Sequence, residues 1–190
     1  TTVQAWKRKK ALMRAPKYTT TFEPMEREVL GELAATVAEA LIHRCQSVPK
    51  DELEELTGIR SGHKEAPMDP SLARLLPDFE RAGDEEYEGD NSLLRSIHEN
   101  DICRNKLENL QVITEALGPD GNVQVVLDET QVHAWLAAIN DIRLYIASGE
   151  IHSGIDGGVA AREDQEMLVQ WLAYNQESLL EALTQEKYSG

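Results

Sequence analysis

The chain has 190 residues, 34 acidic against 19 basic, for a formal net charge of −15, and 41% of them are hydrophobic. That apolar share can build a buried core and argues against wholesale disorder, at a length that suits a single domain over residues 1–190. With no 18-residue apolar run and no leader of the charged, apolar, small-residue type, a cytoplasmic protein without membrane contact is expected.

The charge is unevenly placed. Before the first acidic residue, Glu23, stand Lys7, Arg8, Lys9, Lys10, Arg14 and Lys17, a local +6. The rest of the chain keeps 13 basic and 34 acidic residues, a net −21. A basic arm over residues 1–22 neutralises phosphates well, but an acidic body repels them beyond the screening length of about 8 Å. Nucleic acid is therefore not the expected partner. The arm is expected to fold back onto the body, or to act as a charged strand edge.

Within the arm, Val3–Arg8 and Lys17–Phe22 flank Pro16, and Tyr18-Thr19-Thr20-Thr21-Phe22 has the aromatic and β-branched composition of a strand, so a small hairpin is predicted. Pro24 suits the first turn of a helix. From Met25 to Cys45, the spacing of Val29, Leu30, Leu33, Val37 and Leu41 gives one apolar stripe. The pattern then breaks: Asp51–Leu56 reads as two turns and Gly58–Met68 as a loop. Asp69 caps a short helix with Pro70 at its first position, closed by Pro77.

Asp84–Ile97 and Glu99–Leu117 read as two helical stretches joined with a kink near His98. Gly118-Pro119-Asp120-Gly121 stops the second, and Val123–Leu127 is a valine-rich third strand. Asp128 and Gln131 form a capping box, with Leu127 stapling onto Val132. The helix that follows buries Val132, Trp135, Leu136, Ile139, Ile142 and Ile146 and ends at Ser148-Gly149. Gly149–Ala161 is a glycine-rich loop. A last helix over about 162–185 turns Leu168, Trp171, Leu172, Leu179 and Leu183 inward. The predicted fold is mainly α: a bundle of five to six helices with a small N-terminal hairpin joined by a third strand near residues 123–127. Residues 23–148 form its core and 149–190 a loop plus C-terminal helix.

Few residues carry chemistry. Asn140, Asp141 and Arg143 interrupt a core helix at a cost in propensity that a partner must offset. Lys106 or Arg95 is the expected partner of Asp141, either in a buried network that fixes helix register or around a polar pocket for a small anion. Glu39 with His43, and His98 with Cys103, lack the ligand number and spacing of a metal site, and His43 is expected to meet carbonyls at its helix end. Cys45 and Cys103 have no staple-like spacing and read as reduced thiols. No nucleophile elbow, phosphate loop or dinucleotide fingerprint occurs, so neither catalytic residues nor a cofactor or metal are expected. Trp135 and Trp171 fall on inward stripes. Trp6, among Lys and Arg, either packs inward or serves as an exposed anchor, and with Arg8 it is the interface candidate. Asp78 and Asp84 mark an acidic Asp78–Asp90 surface suited to steering a partner.

Four blocks, in this order, resemble the actinobacterial "domain of unknown function twenty-seventeen" family over roughly residues 3–148. They are Trp6-Lys7-Arg8 with Phe22-Glu23-Pro24 through Leu33; Asp69-Pro70-Ser71-Leu72-Ala73-Arg74-Leu75-Leu76-Pro77-Asp78; Leu94-Arg95 through Ile102 to Lys106; and Trp135-Leu136 with Ile139-Asn140-Asp141-Ile142-Arg143-Leu144. The chain departs from the family pattern at Phe79-Glu80, at Ser96-Ile97-His98, and at Ile102-Cys103, where a Leu-Arg pair is common. The family has no established activity. Its genes often adjoin that of the Clp-protease adaptor for destabilising N-termini and lie near metallopeptidase and sulfur-carrier genes, which implies a Clp-related protein partner.

These readings together predict a non-enzymatic interaction or regulatory module, linked to regulated proteolysis, with a homodimer as a plausible state for a small bacterial protein. The alternatives are a transcriptional regulator with a winged-helix-like element, and an enzyme or ligand binder using a pocket at Asn140–Arg143.

Overall fold

A computed structural model describes residues 3–49, 56–58, 62–79, 87–119, 124–149 and 158–185. The chain runs β1 (Lys7–Ala11), β2 (Arg14–Thr21), α1 (Pro24–Gln46), α2 (Pro70–Leu75), α3 (Tyr87–Leu117), β3 (Gln124–Leu127), α4 (Glu129–Ser148) and α5 (Gly158–Thr184). It is a mainly helical fold with one small antiparallel sheet.

The sheet order is β1-β2-β3, with β3 joining antiparallel in the register Tyr18↔Leu127 to Thr21↔Gln124. On β3 the alternation is strict: Val125 and Leu127 are buried while Gln124 and Val126 face outward. The predicted hairpin is present but shifted. Its first strand starts at Lys7, and Pro16 lies inside β2 rather than between strands. The register slips between Lys9 and Ala11, which places Pro16 at an irregularity where its missing N–H costs no ladder bond. Leu12 and Met13 make the turn, Met13 at φ 64°, and both are fully exposed.

The helix caps follow the local sequence. Glu23 and Glu26 form a reciprocal capping box ahead of Pro24, Asp69 accepts from the Ser71 N–H, and Asp128 and Gln131 form the predicted box at α4. Gly149 closes α4. α3 is one continuous helix through His98, with no break there. Arg95 and Glu99 pair at i,i+4 across the expected kink and hold the turns together.

α4 is the centre of the molecule, packed against α1, α2, α3, α5, β2 and β3. Its stripe of Val132, Trp135, Ile139 and Ile142 meets Leu30, Val37 and Leu41 of α1, Leu110, Ile113 and Leu117 of α3, and Leu172 and Leu179 of α5 in one core. Ala34, Ala138 and Ala182 are also fully buried, small side chains that let helix backbones approach. The hairpin does not fold back along its length. Its base packs on α4 and α5, whereas Leu12 and Met13 at the tip stay in solvent. None of the described helices is long and apolar enough to cross a membrane.

Candidate functional site

Trp6, the interface candidate, is a core residue and not an exposed anchor. Only 5% of it is exposed, and its ring lies edge-on to Phe22 at 6.1 Å and to Trp135 at 5.3 Å. Its indole N–H donates to Asn175 Oδ1 at 3.2 Å and its backbone N–H to Ser178 Oγ at 2.8 Å, both on α5. Phe22 stacks on Trp135, and Trp171 donates to Glu26 Oε2 at 2.8 Å. This aromatic cluster fastens the hairpin base to α5. A run of Lys and Arg hides that role, because only every second strand residue faces the body.

The Asn140–Arg143 run does not converge on one pocket. Asp141 turns to α3 and accepts from Lys106 Nζ at 2.8 Å. Arg143 donates to Gln176 Oε1 at 3.0 Å on α5, and the Gln176 amide reaches Asn140 Oδ1 at 3.5 Å. Successive helical residues point about 100° apart, so neighbours in sequence serve different helix contacts. Burial pushes the Asp141 carboxyl above the ordinary carboxylate range, while the Lys106 ammonium pulls it back.

Arg95 belongs to a different network. Its guanidinium is buried and donates to Leu76 O at 3.0 Å, Glu99 Oε2 at 2.9 Å and Asp78 Oδ1 at 2.9 Å. Glu99, 2% exposed, also receives Arg44 Nε at 2.7 Å, so its carboxylate joins α1 to α3 while Arg95 extends the network to the segment after α2. Arg44 reaches further, to Glu65 O. His63 Nε2 lies 2.7 Å from Arg44 O and 3.3 Å from Ser47 Oγ, so His63, not His43, meets the end of α1. Asp78 is thereby an ion-pair member. Asp84 and most of the Asp78–Asp90 surface lie outside the described residues. Arg8 is half-buried on β1.

The thiols lie beside this network. Cys45 follows Arg44 on α1, and Cys103 stands one turn beyond Glu99 on α3. The two thiols are neighbours, close enough for Cys45 to influence the ionisation of Cys103. Cys103 is fully buried and Cys45 half-buried. Burial raises the Cys103 thiol far above its ordinary value, the Cys45 contact and the Glu99 charge raise it further, and Arg44 opposes them. A separation of 58 positions conceals the pair in the sequence, and only the α1–α3 packing creates it. Among the described residues no three His, Cys, Asp or Glu side chains group as a metal site.

Comparison with known proteins fits this architecture to a family. The family described as Domain of unknown function (DUF2017) matches residues 3–183. The chain belongs to the DUF2017 family. The match extends the resemblance through α5, the helix that holds Trp6. Among curated proteins, the "Oxidative stress regulator AosR" of Mycobacterium tuberculosis and that of Mycobacterium bovis are each 38% identical over 151 residues, covering 75% of this chain and 68% of theirs. A Mycobacterium leprae relative is 35% identical over a similar span. No solved structure matches.

Proposed function

We propose that this DUF2017 member is a non-enzymatic regulatory protein that responds to oxidants through Cys45 and Cys103. The observation that carries the reading is the proximity of the two thiols beside the Arg44–Glu99–Arg95 network. The name of the mycobacterial relatives, oxidative stress regulators, supports the same direction. Support for a non-enzymatic role comes from the buried charges: Arg95, Glu99, Lys106 and Asp141 pair with one another instead of converging on a cavity.

The chemistry is simple. The more accessible Cys45 sulfur attacks a peroxide, giving a sulfenic acid and water or an alcohol. The Cys103 thiol then condenses with that sulfenic acid, forming the disulfide and releasing water. Burial keeps Cys103 protonated and unreactive towards bulk oxidant, which suits it to the resolving role. The new bond ties the end of α1 to α3 next to Glu99 and changes the packing of the surface that a protein partner reads, including a Clp-related one.

The test is a peroxide titration of the purified chain with thiol counting and peptide mapping. Both thiols should disappear together, yielding a Cys45–Cys103 cross-linked peptide that dithiothreitol reverses. Cys103→Ser should stop at a dimedone-reactive Cys45. Two thiols that survive oxidation, or disulfides formed only between molecules, would refute the proposal. A second reading, transcriptional regulation by direct nucleic-acid contact, rests on the +6 hairpin and is tested by a salt-dependent gel shift.

A further inference from the structure

The hairpin carries a feature that the thiol reading does not use. Leu12 is 97% and Met13 101% exposed, two adjacent large apolar side chains at the tip of the arm. They are held there although Met13 must adopt a left-handed backbone. β2 alone is eight residues, roughly 26 Å at strand rise, so the tip stands far from the start of α1. Exposed Lys7, Lys9, Arg14 and Lys17 line the arm. A projecting apolar tip with a cationic stem fits a surface that is apolar at its floor and acidic at its rim.

The molecule itself presents such a surface. Between α1 and the end of α3 lies an open cleft of about 430 Å³, floored by Gly31, Ala35 and Leu117 and edged by the exposed carboxylates Glu28 and Glu32, with Arg27 at one side. Gly31 keeps the floor low: a Cβ there would touch Leu117 Cδ1 at 4.0 Å. The arm within one copy does not reach this cleft, since its tip is in solvent.

We propose that the hairpin is a self-association arm, in which Leu12 and Met13 of one copy seat in the α1–α3 cleft of a second. Charge selects this occupant. The complementarity is local: the exposed carboxylates Glu28 and Glu32 at the cleft rim match the exposed Lys7, Lys9, Arg14 and Lys17 of the arm, and a second copy brings both surfaces at once. The cleft begins at Arg27 near the start of α1, the helix that follows β2 directly, so in the proposed pair two antiparallel arms bring each tip towards the other's α1. The exchange closes under a two-fold axis. Direct β1–β1 pairing is disfavoured because it would align Lys7 and Lys9 with their like-charged counterparts. The inference is independent of the thiol chemistry.

The test is analytical ultracentrifugation of the full chain, with circular dichroism to verify the fold of each variant. Dimers are expected at low salt, with the dissociation constant rising at least about tenfold between about 50 and 500 mM NaCl. Leu12→Asp with Met13→Asp should weaken association by at least about tenfold, and these exposed positions leave the core untouched. Glu28→Lys with Glu32→Lys should weaken it likewise, and adding Lys9→Glu with Lys17→Glu should restore it. A Cys45→Ser chain should associate as the parent does. The proposal is overturned by a parent chain that is monomeric at every concentration, by dimers indifferent to the tip and cleft variants, or by a monomer whose tip variants abolish binding to duplex DNA or anionic vesicles.

Discussion

Replacing Trp6 with alanine tests the largest departure from a surface reading of the N-terminal arm. The substitution removes an indole that is 5% exposed, its edge contacts with Phe22 and Trp135, and the donor to Asn175 Oδ1. Truncating a buried aromatic to alanine costs about 3–5 kcal/mol, and the orphaned Asn175 carbonyl places the site in the upper half of that range. A chain of this size loses about 2–4 °C of melting temperature per kcal/mol, so a fall of about 8–20 °C is expected. Trp6→Phe keeps a ring in the cluster and loses the donor, and should cost about 1–2 kcal/mol. Urea denaturation followed by tryptophan fluorescence and far-ultraviolet circular dichroism measures both. A Trp6→Ala chain within about 0.5 kcal/mol of the parent would refute the reasoning, because only surface positions tolerate such a loss. The result also governs pull-down experiments: partners lost by Trp6→Ala would reflect an undocked hairpin, not a missing contact.

Other positions give independent checks. Arg95→Met removes the shared partner of Glu99 and Asp78 and should destabilise by about 3–5 kcal/mol in urea denaturation, with Arg95→Lys failing to restore the three-way geometry. Lys106→Met leaves Asp141 buried without its cation and should cost about 3–5 kcal/mol at neutral pH. Because burial raises the Asp141 pKa above its unfolded value, the stability linked to its protonation is present below the unfolded pKa and lost as pH rises through the folded one. Removing Lys106 raises that pKa further, so the deficit should shrink on acidification, and a deficit independent of pH would sink the assignment. Met13→Gly relieves the left-handed backbone at the hairpin turn and should stabilise the monomer by about 0.5–1 kcal/mol in thermal melts. In the native chain, iodoacetamide near neutral pH should label Cys45 and leave Cys103 untouched, a pattern that mass spectrometry reads directly.

Local physics made much of the fold legible in the sequence. Asp69-Pro70 and Asp128 with Gln131 satisfy backbone N–H groups a few residues away, so helix starts could be read residue by residue. The apolar stripes of α1, α4 and α5 repeat with the helical period and identified their buried faces. Strand limits were less legible, since six cations in eleven residues obscure which strand face is inward, and Pro16 falls at an irregularity that register alone creates. Four family-like blocks likewise pointed to the DUF2017 family before any geometry.

What the tertiary structure decided is which polar side chains meet. Arg95 could pair with Asp141 on charge alone; the position of α2 gives it Leu76 and Asp78, its own helix gives it Glu99, and Asp141 is left to Lys106. Cys45 and Cys103 carry no mutual signal, because nothing local links residues on different helices 58 positions apart. The sequence leaves Trp6 open between an inward and an exposed position, and α5 decides it by supplying Asn175 and Ser178 from the far end of the chain. Periodicity and capping act over one or two turns and are written in neighbouring residues. Pairing between elements depends on how helices cross, which is set by the core as a whole.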